Sequence, residues 1–229
     1  MKLILFEKYC LIAALVVVIF WNISCQKVTS ENVIEIDPTA QVHPTAILEG
    51  NIKIGAYAYV GAGSILTGDI TVGHHSLIQC NVTIRGINTI GNYVHIYDNV
   101  NIEAGRPANE GTVTNIERDH SIISDSCWIN HGAVMHGTQM GVGAAVGLGT
   151  ACDYNTRIGA GAILANGSAT HIDQIIPANS FAEGVPAVVK KENITEEDRI
   201  KYFGLSPGGW IAFASAEREA EVKANSGVK

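Results

Sequence analysis

Residues 54–102 read IGAYAYVGAGSILTGDITVGHHSLIQCNVTIRGINTIGNYVHIYDNVNI, with an aliphatic side chain at every sixth position. The series starts upstream and runs without a gap through Ile36, Val42, Leu48, Ile54, Val60, Leu66, Val72, Ile78, Ile84, Ile90, Ile96 and Ile102. A period of six fits neither a helix at about 3.6 nor a lone strand at about 2. It suits short strands joined by tight corners, each turning one aliphatic side chain inward. The expected fold is all-β, a left-handed parallel β-helix of triangular coils.

Two residues before each aliphatic position the side chain is usually small or β-branched: Ala40, Ala46, Ala58, Ser64, Ser76, Val82, Val94, Val100. A narrow prism has room for little more. Glycine follows the aliphatic residue at Gly55, Gly61, Gly73, Gly91, Gly147 and Gly159, where a corner can need positive φ or close backbone approach. The rhythm resumes at Ile123, Ile129 and Met135, slips by one residue, and continues through Met140, Val146, Cys152, Ile158 and Leu164. The slip predicts a bulge. Three hexads per coil give about six to seven coils, enough for neighbouring repeats to support one another.

The 229 residues carry a net charge of −7 and no run of Lys or Arg, which argues against nucleic acid as a partner. The start reads Met-Lys, then an apolar stretch from Leu11 to Trp21 ending at Ser24-Cys25. That stretch is shorter than the roughly twenty residues a membrane span needs and reads as an export signal. A small residue before Cys25 resembles a bacterial lipoprotein cleavage site, so the expectation is export to the periplasm or cell envelope with a lipid on Cys25. Cys80, Cys127 and Cys152 lack motif spacing and read as structural thiols.

The expected division is a signal over 1–25, a linker over 26–35, the β-helix over 36–189 with a loop insertion at 104–122, and a C-terminal α-helical segment over 190–229. Thr195 before Glu196, Glu197 and Asp198 predicts a helix N-cap with acids in the first turn. A second helix is expected from about Trp210 to Ala224.

The repeat is scaffold, so function is sought where it is broken. Between Ile102 and Ile123 the chain spends about fifteen residues more than one hexad. If they leave at a single corner, Met135 returns to the face of Ile102. Arg85, Glu103 and His136, each directly after an inward aliphatic residue, then share one face on three successive coils spaced about 4.8 Å apart. His131 stands at the adjoining corner.

The segments Val-Thr-Ile-Arg85-Gly86, GNYVHIYDNVNIE and WINHGAVMHG resemble the γ-class carbonic anhydrases, β-helical trimers with a metal ion between subunits. The resemblance implies that His131 and His136 are metal ligands and that Glu103 stands where the family has its first metal histidine. It implies one divalent ion, zinc or Fe(II)/Co(II), per subunit interface of a homotrimer, with His131 coming from the neighbouring subunit. It further implies an Arg85–Asp98 pair across the interface, and places His95 and Tyr97 where the family's site-lining Asn and Gln stand. The implied activity is carbonate dehydratase: a metal-bound hydroxide attacks carbon dioxide and releases bicarbonate.

Two alternatives stand beside it. Many hexapeptide-repeat β-helices are CoA-dependent acyltransferases with a histidine base, a role open to His136 or His120. The other is a non-catalytic relative that keeps only trimeric packing. His74, His75 and His171 read as surface histidines, and Glu110, Glu117 and His120 as solvated loop residues.

Overall fold

The computed structural model describes residues 32–104, 120–203, 219–220 and 223. The expected signal, most of the linker, the loop from 105 to 119 and most of the second C-terminal helix lie outside the described residues. The described residues belong to one compact unit.

The chain is an all-β, left-handed parallel β-helix. On one face the strands stack as Gln41–Val42, Tyr59–Val60, Leu77–Ile78, His95–Ile96, Trp128–Ile129, Ala145–Val146, Ile163–Leu164 and Phe181–Gly184. A second face stacks eight strands from Val33–Ile36 to Ile175–Ile176, and a third runs through Asn101–Glu103, Val134–His136 and Ala151–Cys152. There are thus about eight turns, more than the hexad count predicts. The last turn escapes that count because Thr170 and Ala182 occupy the expected aliphatic positions.

Strand register bears out the periodic reading. Val60 opposes Ile78, and Ile78 opposes Ile96, one coil apart. Across the insertion Ile90 still opposes Ile123, and Ile102 opposes Met135. The predicted slip is absorbed where Ile123 opposes Met140, a coil one residue short.

The inward aliphatics from Val60 to Leu164 make one continuous core, where removal from water supplies the main driving force. Buried serines at the small positions repair the backbone at corners. Ser64 Oγ donates to the Gln79 carbonyl at 2.8 Å and accepts the Val82 N–H at 3.1 Å, so no polar atom there is left unpaired.

Glycine does two jobs, in different places. The glycines that follow the aliphatic residue are needed for close approach: a Cβ on Gly61 would lie 2.6 Å from the Gln79 carbonyl carbon. Positive φ falls at other glycines, among them Gly50, Gly68 and Gly86, at 102°, 127° and 88°, where the strands Ile47–Ile54, Ile65–Val72 and Thr83–Ile90 bend through a corner without breaking.

At the C-terminal end Phe181–Gly184 turns back antiparallel with Ala187–Lys191, and the helix Glu196–Phe203 follows. Thr195 caps it as expected: its Oγ accepts the Asp198 N–H at 3.3 Å, and Asp198 Oδ2 accepts the Thr195 N–H at 2.9 Å. Tyr202 stacks on Phe181 with centroids 3.7 Å apart, and Arg199 donates to the carbonyls of Gly143 and Gly161 on successive coils. Of the expected second helix, Glu219, Ala220 and Lys223 are described, and they are helical.

Candidate functional site

Arg85, Glu103 and His136 come together as the register predicts: Arg85 opposes Glu103, and Glu103 opposes His136. Arg85 Nη2 lies 3.8 Å from Glu103 Oε2, an exposed pair of small energetic worth. His136 turns its ring edge-on to Tyr154 at 5.0 Å.

His131 sits at a different corner. Its Nδ1 lies 3.3 Å from Asp98 Oδ2, with both side chains exposed to solvent over a third or more of their surface. Asp98 also accepts the Cys80 N–H at 2.9 Å, which fixes the carboxylate. Within the chain Arg85 thus faces Glu103, and Asp98 faces His131. His120, expected on the loop, instead opens the strand His120–Ile123 with Nε2 2.9 Å from Thr89 Oγ.

His95 and Tyr97 lie beside His131, and an aromatic ladder joins them. Tyr97 stacks on His95 at 4.1 Å and meets the His131 ring at 4.5 Å. Trp128, one coil along, is 5.1 Å from His95 and 5.0 Å from Tyr97. His95 is not the exposed residue that an outward position suggests. It is 5% exposed, and burial, then the neighbouring His131, pull its pKa down to about 4. Burial, then the Asp98 charge, push Tyr97 up to about 12, so its phenol stays protonated. His95 Nε2 lies 3.1 Å from Gln79 Nε2.

Gln79 and Trp128 are the site residues that sequence reasoning missed. A signal existed: Leu77, Trp128, Ile163 and Phe181 alternate with the inward aliphatics and are themselves apolar. Such a face is covered, and here Trp128, Ala145, Ile163, Phe181 and Ile194 form a second apolar cluster outside the prism.

No known family profile matches the sequence, and no curated protein matches it. Among solved structures the fold is shared with a Bacillus cereus protein assigned as an acetyltransferase. The two are 23% identical at a TM-score of 0.60, over 85% of this chain and 94% of the other. A hexapeptide transferase family protein from Anaplasma phagocytophilum is 21% identical at a TM-score of 0.53, covering 83% and 92%. These likenesses show the fold.

The expectation of a γ-class carbonic anhydrase, a zinc-type carbonate dehydratase at Glu103, His131 and His136, is corrected on two findings. Two solved structures that share the fold are named as an acetyltransferase and a hexapeptide transferase family protein. Among the described residues no group of three or more His, Cys, Asp or Glu side chains is placed to hold a metal ion. Within one chain His131 precedes the strand Val134–His136 and His136 ends it, so the two rings leave the chain at different corners and do not converge on one ion. Ligands of one ion must each bring an atom to about 2 Å from it. His131 and Glu103 are each engaged by a different partner instead.

Proposed function

We propose that this chain is a hexapeptide-repeat acyltransferase that moves an acyl group from a CoA-type thioester to a hydroxyl or amine. The observation that carries the reading is the His131–Asp98 pair, a solvent-accessible imidazole oriented by a fixed carboxylate. The fold shared with proteins named as acetyltransferase and hexapeptide transferase supports it.

Asp98 faces Nδ1, which assigns the proton there and leaves Nε2 as the base. Nε2 takes the proton of the acceptor's O–H or N–H as that atom bonds to the thioester carbonyl carbon. The carbon–sulfur bond then breaks, and the imidazolium returns its proton to the departing thiolate. His131 thus ends as it began.

We include the homotrimer in this proposal. The two described grooves, of about 310 and 650 Å3, lie along the strands at Gln139–Arg157–Ile175 and at Glu35–Lys53–Thr71, and neither reaches His131. A neighbouring subunit would wall in the base, which stands exposed among the described residues. The experiment is thiol release from acetyl-CoA, measured with a panel of amino sugars and sugar alcohols. The expected result is acceptor-dependent release that falls by about a hundredfold or more in His131→Ala. Release no faster than spontaneous hydrolysis across the panel, or full activity in His131→Ala, overturns the reading.

A further inference from the structure

His95 and Trp128 leave adjacent rungs of one face and are 5% and 7% exposed. Their polar atoms, His95 Nδ1 and Trp128 Nε1, are buried without a hydrogen-bond partner. The Gln79 amide nitrogen donates to His95 Nε2, so the neutral imidazole carries its proton on Nδ1, and an indole nitrogen can only donate. Two N–H donors, on rings with centroids 5.1 Å apart, therefore lack an acceptor among the described residues. Native interiors seldom leave donors in that state, because each unmade bond costs the desolvation of its group. What the site lacks is an oxygen.

The location narrows which oxygen. Tyr97 packs against both His95 and His131 and is itself half-buried, so the orphan donors adjoin the exposed base. Gln79, also half-buried, fixes the His95 ring from the other side. We propose that His95 Nδ1–H and Trp128 Nε1–H bind the carbonyl oxygen of a short acyl group beside His131. This rests on the reading of His131 as the base of an acyl transfer and adds the groups that hold the acyl carbonyl. Donors fixed in a water-poor site stabilise that oxygen most as it gains charge during attack.

The test is NMR of the full chain labelled with 15N in Trp and His, with acetamide as the probe. Trp21, Trp128 and Trp210 give three indole N–H signals, and Trp128→Phe identifies one by its loss. The expected result is a saturable shift of the Trp128 signal alone, with His95→Phe weakening acetamide binding by about tenfold or more. A Trp128 signal that does not respond, or a His95 proton found on Nε2, overturns the proposal. Because the readout needs no thiol release, the donor site and the transfer reaction can fail separately.

Discussion

His95 keeps its imidazole neutral down to about pH 4 because its surroundings give the cation no water. The unfolded chain has no such restriction, so between pH 6.5 and 4 it binds a proton that the folded chain refuses. Stability contributed by this residue is therefore complete above pH 6.5, falls as pH drops through that window, and levels off below it. The loss is on the order of 3 kcal/mol at full extent. Urea unfolding of wild type and His95→Phe between pH 4 and 7.5 checks this, and the variant should show a shallower decline. How much of the site the sequence disclosed also depends on single residues. The column Arg85, Glu103, His136 was legible, because a constant coil length pairs Arg85 with Glu103, and an insertion leaving at a single corner brings His136 opposite Glu103. The Asp98–His131 pair and the burial of Trp128 were not. Periodicity states which side chains point inward, but not where a corner side chain swings or what covers an outward one.

At the scale of the element, the coil's tightness is set by backbone approaching backbone. At Gly61 an added methyl group would meet the Gln79 peptide of the next coil at 2.6 Å, and a peptide held in the ladder cannot move aside as a flexible side chain can. Gly132 has positive φ, 68°, but open space where a Cβ would stand. Gly61→Ala should therefore cost about 1–3 kcal/mol through overpacking, and Gly132→Ala about 1 kcal/mol through backbone conformation alone. Paired denaturation midpoints give the comparison, and equal losses would contradict it. The glycines that bend the long strands, at positions 50, 68 and 86, were not legible as bends. They fall two residues after the aliphatic position, where the hexad pattern makes no demand.

Over the whole molecule, each coil is supported by the coils on either side, and stability should grade from the middle to the ends. Ile96 is fully buried in mid-stack, whereas Ile36, on the first described rung, is 43% exposed. Ile96→Ala should cost about 2–5 kcal/mol, and Ile36→Ala distinctly less. Native-state hydrogen exchange should show opening beginning at the first rungs. Uniform protection from end to end would contradict a graded stack. Light scattering should return a trimeric mass for the full chain, because the proposed base stands exposed, outside the grooves that the described residues form. A monomer with full transferase activity would remove the need for a neighbour.

The detour between Ile102 and Ile123 departs from the stack and rejoins it with Ile90 still opposite Ile123 and Ile102 still opposite Met135. A coil of this kind keeps account only of where the chain re-enters. Residues spent outside are invisible to the rungs, and the one residue lost between Met135 and Met140 is likewise taken up without turning the core outward, since Met140 still lies opposite Ile123. That corner is accordingly a graft point: a foreign peptide spliced between the two strand ends would be displayed at the edge of the prism without altering the phase of the turns behind it.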